Sequence, residues 1–74
     1  MIVVELKGQL IWYVGKKNRI FFNDYQGSIN NLLEQLHIPL HEVGNMTLNN
    51  KRTSLSDIIS DGDVLVVFPV IAGG

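Results

Sequence analysis

The sequence predicts an α+β domain in which one main helix packs across a mixed sheet of four to five strands. Three observations predict it. An alternating strand opens the chain, one amphipathic helix follows a hairpin-like segment, and a continuously apolar strand stands near the end. An apolar strand of that kind suits the centre of a sheet, where both of its faces are covered. Pairing the first strand beside it in parallel gives the β-grasp arrangement.

The first third of the chain predicts a hairpin. Ile2–Leu6 alternates with a period of two, which is typical of a strand with one buried face. Gly8 interrupts the pattern, and the apolar and aromatic residues 10–14 then predict a strand extension or a second short strand. A glycine and lysine turn begins at Gly15, after which Arg19–Phe22 predicts the returning strand.

One segment predicts a helix. Ser28 is a good N-cap, and the apolar residues that follow are spaced i, i+3, i+4 and i+7. Pro39 ends the helix near His37 or Ile38. Because a helix of about nine residues is marginal alone, its apolar stripe must pack on the sheet. The apolar stripe consists of Ile29, Leu32, Leu33 and Leu36. The outer side of the helix consists of Asn30, Asn31, Glu34 and Gln35.

The second half predicts two more strands joined by irregular chain. Residues 46–48 predict a short strand, and Asn49-Asn50 predicts a turn because asparagine tolerates the left-handed region. Residues 54–60 predict a single turn or an irregular crossing. Asp61-Gly62-Asp63 predicts a tight turn that leads into the apolar strand of residues 64–68.

The length of the chain supports one domain at most. We expect that domain to span residues 1–69 and to be followed by a flexible tail, residues 70–74, that ends in diglycine. No targeting segment is recognisable, and no apolar run approaches the roughly 20 residues of a membrane span. A cytoplasmic location is therefore the expectation.

Composition excludes several classes of function. The chain has no cysteine, which excludes a disulfide scaffold, a thiolate metal site and a cysteine nucleophile. Six lysines and arginines against seven aspartates and glutamates leave a net charge of −1. That balance argues against nucleic-acid binding and against a basic membrane patch. The charged share of 18% is below that of ordinary soluble domains, and a docked partner would account for it.

Few side chains could carry chemistry. His37 and His41 are four residues apart, but Pro39 between them prevents a regular helix from holding both, so we expect no metal site. Asp61 and Asp63 flank a glycine before a strand, which is typical of a turn. The sequence offers no nucleophile with a base and an orienting group. We therefore expect no catalytic residue, and a chain that is not an enzyme.

The last strand has two apolar faces, of which one helix can cover only one. Val64, Val66 and Phe68 point one way, and Leu65 and Val67 point the other. The alternation does not decide which set meets the helix. The other set is covered by residues 10–14 or by a partner, since contiguous exposed apolar surface usually marks a partner site. The residues expected to dock a partner are Leu65, Val67, Phe68, Pro69 and Val70.

The closing diglycine favours entry into a narrow channel. Glycine has no Cβ, so Gly73 and Gly74 can thread where other residues cannot, and they leave the terminal carboxylate unshielded. We expect Ile71 and Ala72 to thread with them. If extended, the tail from Pro69 spans on the order of 20 Å, which reaches into another protein while the domain docks outside.

The chain resembles the MoaD/ThiS family of ubiquitin-like sulfur carriers. The resemblance is carried by Asp61-Gly62-Asp63, the apolar strand after it and the closing Phe68-Pro69-Val70-Ile71-Ala72-Gly73-Gly74. The helix and Leu48-Asn49-Asn50 support it, with Asn50 standing where the family usually has glycine. The resemblance covers residues 28–74, and before them only the opening strand fits.

The resemblance implies a β-grasp fold and a carrier cycle. An ATP-dependent activating enzyme would adenylate the carboxylate of Gly74. Sulfur from a donor persulfide would then displace AMP and leave a thiocarboxylate, which an acceptor synthase would use. The chain itself would bind no cofactor, because the partner enzyme uses the ATP.

Alternatives remain open within and beyond this resemblance. Phe68-Pro69 resembles the small subunit of molybdopterin synthase, whereas Val70-Ile71-Ala72-Gly73-Gly74 resembles the carrier for the thiamine thiazole ring. A second function is a ubiquitin-like modifier, joined to lysines of other proteins through its terminal glycine. A third is a plain interaction module whose diglycine is incidental.

Overall fold

The computed structural model describes residues 1–71. Within them, the chain forms seven strands, one α-helix and two 3₁₀ helices. In chain order these are β1 Ile2–Leu6, the first 3₁₀ helix Gly8–Val14, β2 Arg19–Phe22, β3 Gly27–Ser28, α1 Ile29–Gln35, the second 3₁₀ helix Leu40–Glu42, β4 Val43–Leu48, β5 Lys51–Arg52, β6 Ile58–Ile59 and β7 Val64–Pro69.

Five strands form one mixed sheet in the order β2-β1-β7-β4-β5. The last strand, β7, lies at the centre, parallel to β1 and antiparallel to β4. β3 and β6 form a separate antiparallel pair of two residues each. The predicted fold class is confirmed: a β-grasp with a five-stranded mixed sheet and one main helix packed across it.

The core lies between one face of the sheet and α1. Alternate residues of β1 and β7 point into it, where they meet the apolar stripe of the helix. Full burial of each such side chain contributes roughly 1.5–3 kcal/mol, which allows a small chain without disulfides to fold. The buried residues are Ile2, Val4, Leu6, Leu10, Ile29, Leu32, Leu33, Ile38, Met46, Ile59, Leu65 and Val67.

The helix begins where the sequence predicts. The Ser28 hydroxyl accepts a hydrogen bond from the Asn31 amide at 3.1 Å, which confirms the N-cap. Ile29, Leu32 and Leu33 are completely buried, whereas Leu36 is half-buried against the core. The predicted stripe is therefore confirmed.

The helix ends slightly earlier than predicted, at Gln35. His37 takes a left-handed φ of 60°, and its amide donates to the Glu34 carbonyl at 3.0 Å. The Ile38 amide donates to the Leu33 carbonyl at 3.2 Å, and Ile38 is buried. This pair of bonds is a Schellman motif, in which His37 occupies the position that glycine usually holds.

The first 3₁₀ helix corrects one prediction, since residues 10–14 form no strand. Gly8 takes a left-handed φ of 56°, which ends the extended run of β1. Leu10 then turns into the core and is completely buried. The prediction was wrong because apolar and aromatic residues suit a strand and a short buried helix equally well.

Three smaller differences concern the other segments. β4 starts at Val43, earlier than the predicted residue 46. The segment predicted as irregular contains β6, whose Ile59 is buried and pairs with Gly27. Asn30, predicted on the outer side of the helix, has its side-chain oxygen buried without a hydrogen-bond partner.

Two turns are tied together beside the start of β7. Asn49 and Asn50 take left-handed φ angles of 53° and 71°, which confirms the predicted turn. The Asn49 side-chain amide donates to the Asp63 carboxylate at 2.9 Å, and the Ser60 amide donates to the same carboxylate at 2.9 Å. Both bonds favour the ionised carboxylate and so lower the pKa of Asp63, and the bond from Asn49 has the larger effect.

The stripe predicts the effect of truncating a helix residue. Leu33→Ala should lower the free energy of unfolding by roughly 2–5 kcal/mol, because it leaves a cavity in the core. Chemical denaturation measures the change, with the exposed neighbour Glu34→Ala as the matched control. Equal unfolding midpoints for the two variants would contradict the assigned buried face.

Acid should weaken the fold partly through Asp63. Its pKa is lowered on folding, so its contribution to stability is present above the unfolded pKa, near 3.9, and is lost as pH falls through the folded value. Asp63→Asn should therefore lose less stability than the wild type between about pH 5 and about pH 2. Urea unfolding at several pH values measures this.

A second variant separates the donors to Asp63. Asn49→Gly keeps the left-handed backbone but removes the side-chain amide, while the Ser60 amide still donates. It should flatten the acid dependence in the same direction as Asp63→Asn, but less. An acid dependence as steep as that of the wild type in both variants would refute the assignment.

Candidate functional site

The residues predicted for partner contact and threading begin at the end of β7. Phe68 and Pro69 close the strand, and Val70 and Ile71 follow it. Phe68 is 38% exposed, Pro69 is half-buried, and the exposed fraction then rises to 47% for Val70 and 83% for Ile71. The remaining predicted residues, Ala72, Gly73 and Gly74, lie outside the described residues.

Leu65 and Val67, predicted to dock a partner, belong to the core. Both are completely buried. The register of β7 with β1 decides this, because Leu65 lies beside Val4 and Val67 beside Leu6, which are buried too. A partner cannot reach them in the folded chain, so that part of the docking prediction was wrong. Their burial leaves the opposite set of β7 residues facing outward.

The side of the sheet away from α1 carries exposed apolar side chains. Val64, Val66 and Phe68 point to this side by alternation. Val3 lies in register with Val64, and Phe21 lies in register with Val3. Phe21 is 55% exposed and Val64 is 37% exposed. We call these five residues the outer face.

Charged residues border the outer face. Arg19 contacts Glu5 at 2.9 Å, and Lys7 lies 3.8 Å from the same carboxylate. Exposed pairs of this kind contribute little stability, about 0–1 kcal/mol each. An open cavity of about 400 Å³ at this border is lined in part by the same three residues. An apolar centre with a polar border is typical of a surface that binds another protein.

Two glycines allow the end of β7 to pack closely. A Cβ at Gly8 would lie 2.9 Å from Cγ of Pro69, and a Cβ at Gly44 would lie 2.7 Å from the Pro69 carbonyl oxygen. Real side chains do not approach so closely. The pairing of β4 with β7 is irregular between Val43 and Met46, the stretch that contains Gly44 and lies beside the end of β7. The path of Pro69 therefore depends on two positions without side chains.

The next residue, Val70, is held through its main chain. The Val70 amide donates to the Glu42 carbonyl at 3.0 Å. The Glu42 carboxylate accepts a hydrogen bond from the Tyr13 hydroxyl, which we call the Tyr13–Glu42 bridge. Tyr13 belongs to the first 3₁₀ helix and Glu42 to the second, so the bridge joins the segments that flank the end of β7.

The bridge also affects ionisation of the phenol. The hydrogen bond to the Glu42 carboxylate is the main cause that raises the pKa of Tyr13 above its ordinary 10.0, and desolvation and the charge of Glu42 add to it. A phenolate could not donate this bond and would be repelled by Glu42. Tyr25 also has a raised pKa, but chiefly because of burial.

Sequence reasoning missed Phe21, Tyr13 and Glu42 as residues of this region. The alternation of Arg19–Phe22 carries the signal for Phe21, since its neighbours on both sides face the core. No local pattern links Tyr13 to Glu42, because 29 residues separate them.

The histidines and acidic residues do not gather into a metal site in the described part of the chain. Among residues 1–71, no group of three or more His, Asp or Glu side chains could hold a metal ion. His37 lies just after the end of α1 with a left-handed φ, whereas His41 is largely exposed and lies 3.9 Å from the Glu42 carboxylate. Over the same residues, no helix is both long and apolar enough to cross a membrane.

The β-grasp fold, with one sheet face exposed, is the fold of the ubiquitin-like class of proteins. The chain belongs to the Mut7-C ubiquitin family, whose model matches residues 2–73. This match confirms the predicted resemblance to ubiquitin-like proteins of the MoaD/ThiS kind as a matter of family and fold. No curated protein matches the chain significantly.

Several solved structures share the fold along the whole chain. SAMP1 from Haloferax volcanii is 20% identical, with 99% of this chain and 98% of that chain covered and a TM-score of 0.70. CysO, in the Amycolatopsis orientalis BexX/CysO complex, is 15% identical, with full coverage of both chains and a TM-score of 0.72. A chain in the complex of subunits 1 and 2 of the Helicobacter pylori 26695 molybdopterin-converting factor is 21% identical, with 99% of this chain and 97% of that chain covered and a TM-score of 0.62. At such identities, the likeness establishes the fold.

The Tyr13–Glu42 bridge predicts two distinct tyrosine titrations. Glu42→Ala should lower the pKa of Tyr13 toward its ordinary value and leave that of Tyr25 unchanged. Near-ultraviolet absorbance of the tyrosinate measures both, with Tyr13→Phe isolating Tyr25. In the wild type, the stability that Tyr13 contributes is complete below its unfolded pKa and is lost as pH rises through the folded one.

The matched control for this titration acts on the other tyrosine. Glu34 raises the pKa of Tyr25 by its charge, as the weaker of two causes. Glu34→Ala should therefore lower the pKa of Tyr25 slightly and leave that of Tyr13 unchanged. A Tyr13 titration that responds equally to both glutamate variants would contradict the bridge.

Proposed function

We propose that the chain is a sulfur carrier whose Gly74 carboxylate is adenylated and then converted to a thiocarboxylate. The observation that carries the proposal is the exposed end of β7. Phe68, Val70 and Ile71 lead away from the fold beside an uncovered apolar face, and Gly73-Gly74 follow in the sequence. Docking surface and reacting group are thus adjacent in the chain but separate in role.

The chemistry explains why the carrier can do without catalytic side chains. A carboxylate is a poor electrophile until its oxygen becomes part of a leaving group. In the proposed cycle, an ATP-dependent activating enzyme joins the Gly74 carboxylate to AMP and releases pyrophosphate. A donor persulfide attacks the acyl adenylate, so that AMP leaves and an acyl disulfide forms. A thiol of the partner proteins then cleaves the acyl disulfide, which leaves the thiocarboxylate on Gly74 and a disulfide on the partners. The partner enzymes catalyse these steps and use the ATP. The chain is then their substrate and needs no cofactor of its own.

The proposed division of the tail follows from its attachment. The outer face, with Phe68, Pro69 and Val70, docks on the partner, while Ile71, Ala72 and Gly73 enter its channel. The four residues after Val70 would span about 14 Å if fully extended. A partner's adenylation site therefore lies within that distance of the docked surface. A cytoplasmic location, where ATP is present, belongs to the same proposal.

The acceptor of the sulfur divides the proposal into two branches. The likeness to the molybdopterin-converting factor supports delivery to molybdopterin synthesis. The closing Val70-Ile71-Ala72-Gly73-Gly74, which resembles the thiamine thiazole carrier, supports the other branch. Two of the similar structures are complexes with a second protein, which supports docking to partner enzymes in general.

A ubiquitin-like modifier is the second candidate function. It is favoured by the likeness to SAMP1, the small archaeal modifier protein 1. In this role the activated Gly74 would be joined to lysines of other proteins. The modifier predicts higher-mass adducts in cell extracts that vanish when Gly73 and Gly74 are deleted. The carrier predicts none.

Intact-mass spectrometry tests the carrier. Incubation with a cognate activating enzyme, ATP and a sulfur donor should raise the mass of the chain by the difference between sulfur and oxygen. Gly74→Ala should slow adenylation because the added Cβ hinders entry into a narrow channel. It should leave the thermal midpoint nearly unchanged, because the described core extends no further than Val67.

The controls separate loss of the reacting group from loss of the fold. Deletion of Gly74 should abolish the mass increase, whereas Asn31→Ala, an exposed position on the helix side, should retain it. A full mass increase after deletion of Gly74, or none in the wild type with any such enzyme, would refute the carrier proposal.

A further inference from the structure

We infer that Tyr13 is a positioning residue for the tail, acting through Glu42 on the Val70 amide. The consequence for sulfur transfer rests on the proposed function, whereas the attachment of Val70 does not. The first step is a side-chain bond from the Tyr13 hydroxyl to the Glu42 carboxylate. The second is a main-chain bond from the Val70 amide to the Glu42 carbonyl at 3.0 Å.

The second 3₁₀ helix is held mainly at its ends, since Ile38 before it is buried and Val43 after it pairs with Pro69. Leu40–Glu42 is three residues long, has no buried residue, and has no side-chain hydrogen bond at its N-cap. The Glu42 amide bonds to the Pro39 carbonyl at 3.0 Å, which is a local turn bond. Leu40 is half-buried against the core. The Tyr13 bond therefore adds a side-chain tie from a different segment to the strand pairing at Val43, which also positions the Glu42 carbonyl.

Tyr13 is well placed to supply that bond. Its helix is anchored by the completely buried Leu10 and ends at Gly15, whose amide donates to the Ile11 carbonyl. The first 3₁₀ helix also lies directly after β1, which is paired with β7. The phenol thus ties the anchored first 3₁₀ helix to the side chain of Glu42, the residue whose carbonyl holds Val70. His41, also near the Glu42 carboxylate, is largely exposed and offers no comparable anchor.

The bond to the Val70 amide sets the origin of the tail, by which we mean the residue after which the chain leaves the fold. With the amide bonded, the chain leaves the fold after Val70, and with the bond broken it leaves after Pro69. A fixed origin reduces the orientations that the chain loses when it enters a partner's channel, which favours productive binding. Tyr13 itself need not touch the partner or the reacting carboxylate.

Hydrogen exchange of the Val70 amide tests the attachment on the isolated chain. Tyr13→Phe keeps the ring but removes the hydroxyl, and it should speed exchange of Val70 about fivefold, the change expected for one lost hydrogen bond. Tyr25→Phe is the matched control, since the Tyr25 hydroxyl bonds the Ser28 carbonyl elsewhere. It should leave Val70 unchanged.

Substitutions of Glu42 test whether the two bonds act in series. Glu42→Ala should speed Val70 exchange as Tyr13→Phe does, and the double variant should add little further. Glu42→Gln keeps an oxygen acceptor for the phenol and should stay near the wild type. Additive effects of Tyr13→Phe and Glu42→Ala, or unchanged exchange in Tyr13→Phe, would overturn the inference.

Adenylation by the partner enzyme tests the consequence. Tyr13→Phe should lower kcat/KM for the carrier a few-fold, and Tyr25→Phe should not. Faster Val70 exchange with unchanged kcat/KM would overturn the positioning role. If the wild type is never adenylated, the proposed function fails, and Val70 exchange alone then decides whether Tyr13 fixes the origin of the tail.

Discussion

Residues 3–6 of β1 run parallel to residues 64–67 of β7, in register, at the centre of the sheet. Parallel strands cannot be joined by a tight turn, so the chain between them must cross over. Part of that crossing is α1, and its stripe closes the core against alternate residues of both strands. β2 and β4 then pair with the outer edges of this central pair. The architecture therefore depends on one pairing between the beginning and the end of the described chain.

The same pairing decides what is exposed. Its register buries Leu65 and Val67 and turns Val64 and Val66 outward. It also brings the end of β7 against Gly8, the residue at which the chain turns away from β1. The segment that leads to the diglycine thus leaves from the middle of the sheet, flanked by both 3₁₀ helices. The exposed apolar face and the place where residues 70–71 leave the sheet both follow from this register.

This arrangement fits the proposed role of a carrier that partner enzymes bind and modify. The outer face is apolar with a charged border, and the chain has no cysteine. In the proposed cycle, the sulfur is held on the terminal carbonyl carbon, so a carrier of sulfur needs no thiol of its own. In the same proposed cycle, the partner enzymes catalyse the reactions, and the chain contributes a docking surface and a positioned tail. The Tyr13–Glu42 bridge adds to that role by holding the tail at Val70.

The sequence by itself determined the fold class, the N-cap at Ser28, the buried stripe of α1 and the central place of β7. These follow from local signals, namely capping chemistry and the periodicity of apolar residues. It could not determine which face of β7 meets the helix, because Leu65 and Val66 are both apolar, and it missed the first 3₁₀ helix. Only the tertiary structure decided which residues are exposed and which hold the tail. Register and contacts such as that of Tyr13 with Glu42 join residues far apart in the chain, where no local pattern records them.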